Sequence, residues 1–129
     1  MYKELIISIL IVILVFTLDY FTQKYTDKSI NSISNDLKNF ESEINQDEVD
    51  SESVNKKIDE LNKKWQNYQL KLSYYIEHNE LEKVETALVT GQSLVKTKDY
   101  GQAASEFEKT IFILQHIDEK YSVNLRNIF

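Results

Sequence analysis

From Leu5 to Leu18 the chain reads L-I-I-S-I-L-I-V-I-L-V-F-T-L, an apolar run broken only by Ser8 and Thr17. Ser and Thr hydroxyls bond back to carbonyls of the preceding helical turn, so neither residue interrupts a helix. No face of this helix is polar. That separates it from an amphipathic surface helix, whose charges recur opposite an apolar stripe, and from the core helices of small domains, which are seldom apolar all round. Tyr2 ahead of the run and Tyr20, Phe21 and Tyr25 behind it place aromatic rings near both ends. Tyr2 to Phe21 would extend about 30 Å as a helix, which is the thickness of a bilayer's hydrocarbon core. The pattern predicts one transmembrane helix within residues 1–25, with Leu5, Ile9, Val12, Phe16, Tyr20 and Phe21 as its anchor residues.

After the run comes F-T-L-D-Y-F-T-Q-K-Y-T-D-K, which lacks the small residues that signal peptidase requires before its cut. The segment is therefore expected to stay attached as a signal anchor. Lys3 and the terminal amine nearly balance Lys24 and Lys28, so the positive-inside count alone does not orient the helix. A short basic segment before an apolar run has the layout of an uncut secretory signal. That layout predicts a single-pass protein of the cell membrane, with a cytoplasmic N-terminus and residues 26–129 outside.

The remaining hundred or so residues suffice for one modest core. The chain has no Pro and only 2 Gly, so it is poor in residues that end helices or make tight turns, which favours long helices over a β architecture. Charged residues at 28% and hydrophobic ones at 42% match a globular domain. A net charge of -6 and a pI near 4.9 offer no basic stripe for phosphates, arguing against a nucleic-acid partner and against electrostatic docking on anionic lipid. The absence of Cys removes disulfides, thiolate chemistry and soft metal sites.

Apolar residues step by three and four along most of the domain. Ile30, Ile33, Leu37, Phe40 and Ile44 predict a helix continuing directly from the apolar run. After an acidic turn from Asp47 to Glu52, Val54, Ile58, Leu61, Trp65, Tyr68, Leu72 and Tyr75 predict a second helix, capped by Ser51 or Ser53. A third is expected to open at Asn79, with Glu82 completing a capping box, and to bury Leu81, Val84, Leu88, Gly91 and Leu94. Asp99 and Gln102 mark the start of a fourth, through Ala103, Phe107, Ile111 and Leu114 to about Ile117. Tyr121, Val123, Leu125, Ile128 and Phe129 show no clear period and are expected to form a tail laid over the helices. Short connections make neighbours antiparallel. The expected fold is all-α, a transmembrane helix followed by an antiparallel bundle or stacked helical hairpins.

Gly91, Asp99, Tyr100, Ala103 and Phe107 fall at the offsets of a tetratricopeptide-type hairpin. Ala87 and Thr110 depart from that motif, and no Pro closes the unit. Close helix packing, with Phe107 filling the space left by Gly91 and Ala103 beside Tyr100, accounts for the pattern without peptide binding. Trp65, Tyr68, Leu72, Tyr74, Tyr75 and Ile76 make the end of the second helix apolar on more than one side. Either other elements cover them or they form a partner-binding patch, for which Trp and Tyr are frequent anchors. His78, with Glu77, Glu80 and Glu82 nearby, is better read as a solvated residue at a helix start than as a metal ligand. Neither it nor His116 has Glu three residues before it, as a di-iron bundle would need. No phosphate loop, nucleophile elbow or HExxH is present. Neither an enzyme nor a cofactor is expected.

The apolar N-terminus, W-Q-N-Y at Trp65, Y-Y-I-E-H-N-E-L-E-K-V-E from Tyr74 to Glu85, and the ending N-L-R-N-I-F together resemble a family of short single-span proteins from anaerobic Gram-positive bacteria. It is known as domain-of-unknown-function family 4363. The resemblance implies a membrane-anchored helical protein and, as partner, another membrane protein; it assigns no functional residue. The leading expectation is an accessory or interaction protein. The alternative is a domain that holds a small apolar ligand or peptide between its helices.

Overall fold

A chain with neither Pro nor Gly before position 91 has little to break its first helix. In the computed structural model, which describes residues 1–126 and the side chains of residues 1–121, α1 runs unbroken from Tyr2 to Ile44. At 1.5 Å per residue it is about 65 Å long. Its two halves have opposite surroundings. Leu5 to Leu18 and on to Phe21 are exposed apart from the half-buried Asp19, whereas Thr26, Ser29, Ile30, Ile33, Ser34, Leu37, Phe40 and Ile44 are buried.

Three further helices follow: α2 (Ser51–Leu72), α3 (His78–Lys96) and α4 (Tyr100–Arg126). Each packs on the next, and α4 closes back on α1, while among the described residues no Cα of one diagonal helix comes within 8 Å of the other. Glu43 with Lys57 and Asp36 with Lys64 show that α1 and α2 run antiparallel. Asp59 with Lys96 and Gln69 with Glu85 show the same for α2 and α3. The second half of α1 thus serves as one member of an up-and-down four-helix bundle, which selects the bundle over stacked hairpins.

The predicted stripes on α1 and α4 are buried throughout. On α3 the buried face ends at Val95, not at the expected Leu94, which is half-buried. Several boundaries also differ from expectation. The cap of α2 is Asp50, whose carboxylate accepts the Ser53 amide at 3.4 Å, and neither Ser51 nor Ser53 has that role. Helix α3 opens at His78 after Glu77, without a side-chain cap, so the capping box at Asn79 does not form. Asp99 does cap α4, accepting the Gln102 amide at 3.3 Å. The expected irregular tail is corrected most: α4 continues through Tyr121 to Arg126, while Ile128 and Phe129 lie outside the described residues. Tyr121 follows Leu114 and Ile117 by helical steps, so it extends the same stripe.

Helices α3 and α4 join through a tight turn. Lys98 has φ 62, its amide donates to the Val95 carbonyl at 3.0 Å, and the Asp99 amide donates to the Leu94 carbonyl at 2.9 Å. This is a Schellman arrangement with Lys in the left-handed position that Gly ordinarily occupies.

Candidate functional site

The apolar half of α1 meets the bundle at one end, formed by residues Thr22 to Asp27 of α1, the turn between α2 and α3, and the last turns of α4. Helix α2 stops at Leu72, and the turn that follows is held by the Ser73 amide donating to the Gln69 carbonyl and the Ile76 amide donating to the Leu72 carbonyl, both at 2.9 Å. The turn brings Tyr75 against α1. Its hydroxyl donates to the Thr22 carbonyl at 3.1 Å and lies 2.6 Å from the Thr26 hydroxyl, which itself donates to the Thr22 carbonyl at 2.7 Å. Two hydroxyl protons therefore serve three contacts, and burial pushes the Tyr75 hydroxyl above its usual pKa.

Helix α4 closes the same end from the other side. The Tyr121 hydroxyl accepts the Glu77 amide at 2.9 Å, and its carbonyl accepts the Gln23 side chain at 3.4 Å. One residue thereby ties α4 to both the turn and α1. Tyr25 packs edge-on against Tyr68 at 6.1 Å, with the Lys71 ammonium 5.6 Å from the Tyr25 ring centre. Six of the chain's eight Tyr, namely Tyr20, Tyr25, Tyr68, Tyr74, Tyr75 and Tyr121, gather at this end.

Two carboxyl pairs mark the seam between α1 and α4. Burial, followed by hydrogen bonding to Asp27 and repulsion from Asp27 and Glu119, raises Asp118 to about 7. Higher up, burial and then Glu108 raise Glu41 above the ordinary carboxylate range. The seam between α1 and α2 differs, carrying the Lys57–Glu43 and Lys64–Asp36 ion pairs at 2.7 and 2.5 Å.

The expected partner patch is largely interior. Trp65, Leu72 and Ile76 are core residues, and Tyr68 and Tyr75 are half-buried, leaving Tyr74 of that set exposed beside Leu70. Closure of the bundle covers this stretch, so a continuous patch from Trp65 to Ile76 is not presented. Gly91, Ala103 and Phe107 meet inside the α3–α4 pair, with Tyr100 half-buried at the start of α4. Leu5, Ile9, Val12, Phe16, Tyr20 and Phe21 are exposed along α1. His78 stands exposed at the start of α3, 3.9 Å from Glu82.

Sequence reasoning missed Asp27, Asp118 and the role of Tyr121, whose importance arises only when α4 folds onto α1. It also passed over Phe112 and Val89, both exposed on the bundle's flank. A family model described as a domain of unknown function (DUF4363) matches residues 20–128. No curated protein and no solved structure matches the chain.

Proposed function

The chain belongs to the DUF4363 family, a domain of unknown function, and for this member we propose a non-enzymatic, membrane-anchored interaction protein whose bundle contacts another membrane protein. One observation carries the proposal: the exposed apolar half of α1 and the buried half that builds the core are a single unbroken helix. Apolar surface left in water costs roughly 25 cal/mol per Å². The most apolar 18-residue window of α1 is long and apolar enough to cross a bilayer, and none of it is buried within the protein. A bilayer is the natural cover for it. A helix without a break transmits position rigidly, so the bundle's flanks stand at a fixed height beside whatever shares the membrane. Phe112, on the flank, is the exposed aromatic that suits a partner contact.

Alkaline extraction of native membranes tests the anchor, since release of the full chain into the supernatant would overturn it. A photo-crosslinking residue at Phe112 tests the partner. A discrete adduct at Phe112, absent with the probe at Gln46 on the far connection, is expected; monomer at both positions would sink the interaction reading. Protease access to the domain in intact cells tests the outward orientation.

A second reading is supported by a groove of about 590 Å³ between α3 and α4, lined by residues including Thr86, Ala87, Thr90 and Ile113. Glu82, Lys83, Glu106 and Lys109 border it, suiting a polar peptide better than an apolar small molecule.

A further inference from the structure

The end of the bundle nearest the apolar half of α1 is separated from it by no linker. Phe21 is exposed, and the hydrogen bonds of Tyr75 reach Thr22 and Thr26. Those positions lie about 1.5 and 7.5 Å beyond Phe21 along the helix axis. With a hydrocarbon core of about 30 Å and a whole bilayer of about 40–45 Å, each headgroup layer is about 5–8 Å thick. If Tyr2 to Phe21 fills the hydrocarbon, the turn between α2 and α3 falls within that layer. Helix α4 goes further. Tyr121 is level with Gln23, and the antiparallel backbone continues five residues to Arg126, which brings it beside Leu18 and Asp19.

Composition agrees with this placement. Six Tyr gather at this end, and Tyr is the side chain, together with Trp, that prefers the boundary between lipid and water because its ring is apolar and its hydroxyl needs a polar partner. Tyr74 sits at the tip of the turn, 88% exposed, with exposed Leu70 one turn before it. In water an exposed Tyr at the tip of a turn gains nothing. In a headgroup layer its ring is covered. Lys24, Lys71 and Lys120 stand among Asp19, Asp27, Glu77 and Asp118, so neither sign of charge prevails and anionic lipid is not required.

We propose that this end of the bundle is a membrane-apposed surface, with the Tyr74 turn and the Tyr121 turn of α4 resting in the headgroup layer of the bilayer that α1 crosses and the end of α4 reaching the upper edge of the hydrocarbon. The domain is seated on the membrane, not held away from it on a stalk. This rests on reading the first half of α1 as a membrane span.

The chain has no native Cys, so single cysteines can be labelled cleanly. The full chain, carrying an environment-sensitive fluorophore at Ile9→Cys, Tyr74→Cys or Gln46→Cys, is reconstituted into phosphatidylcholine vesicles containing a lipid spin-labelled near its headgroup for positions 74 and 46, or deep in its acyl chain for position 9. Tyr74 and Gln46 are exposed, so their labels leave the core intact. Gln46 lies at the opposite end, about 35 Å from the level of Phe21. The expected result is strong quenching at position 74, approaching that seen at position 9 with deeper spin labels, and none at 46. Quenching at 9 with position 74 as unaffected as 46 would overturn the seated arrangement while keeping the span. Absence of quenching at 9 would overturn the span and the seating with it.

Discussion

Phe107 occupies the space that a side chain at position 91 would need: a Cβ built on Gly91 would lie 2.9 and 3.0 Å from two Phe107 ring carbons and nearer still to a third. The ring is fully buried and packs edge-on against Phe40 at 5.3 Å and 82°, so it cannot swing aside without disturbing α1. Gly91→Ala should therefore destabilise the bundle by about 1–3 kcal/mol through overpacking. Phe107→Ala should cost about 3–5 kcal/mol through the cavity it leaves. Denaturant melts of the full chain in detergent measure both, and an unchanged Gly91→Ala midpoint would refute the close approach. Combining Gly91→Ala with Phe107→Leu should recover part of the loss, since the two changes act on one space.

Lys98 holds a left-handed backbone with φ 62 that costs a residue bearing a Cβ roughly 1–2 kcal/mol. Glycine adopts it freely but is more flexible when unfolded, which offsets part of the gain. Lys98→Gly should raise stability by about 0.5–1 kcal/mol. A lowered melting temperature in the same detergent would contradict that sign.

Tyr75 binds Thr22 and Thr26 through its hydroxyl alone. Tyr75→Phe keeps the ring and removes both contacts, leaving the Thr26 hydroxyl bonded to the Thr22 carbonyl at 2.7 Å. The expected loss is about 1 kcal/mol. Hydrogen exchange should rise first in the amides of Ser73 and Ile76 that hold the turn; faster exchange confined to the opposite end would tell against this role.

Asp118 gives stability a pH dependence. Its folded pKa, about 7, lies above the unfolded value near 3.9, so between those limits the folded state binds more protons than the unfolded one. The sign is therefore a loss of stability as pH rises from about 4 to about 7. Partial exposure screens the effect to about 1 kcal/mol. Asp118→Asn should flatten this part of the profile and leave the variant more stable than the parent at pH 8. Superimposable profiles for the two chains would dismiss the Asp27–Asp118 pairing.

Much of the architecture was legible because it is periodic. Ile30, Ile33, Leu37, Phe40 and Ile44 repeat at the pitch of a helix, and the same is true of Ala103, Phe107, Ile111, Leu114 and Ile117, so the buried side is encoded locally. Ends of helices were less legible because several residues compete for each cap. Asp50, Ser51 and Ser53 can all accept an amide, and only the path of the chain selects Asp50. The aromatic cluster at the end of α2 left two readings open for a different reason. A Trp that binds a partner and a Trp that fills a core have the same neighbours in sequence.

The sequence by itself determined the apolar half of α1 and the faces of the four helices, because both follow from the identity and spacing of residues within a few turns. Only the tertiary structure decided that Trp65 is interior, that Tyr75 and Tyr121 fasten the end next to the apolar half of α1, and that Asp118 lies beside Asp27. The Tyr121 and Asp118 relationships require α4 to return to α1 across most of the chain's length, and that of Tyr75 requires the α2–α3 turn to fold back on α1. Helical periodicity fixes which side of each helix is buried, but not which helix will cover it.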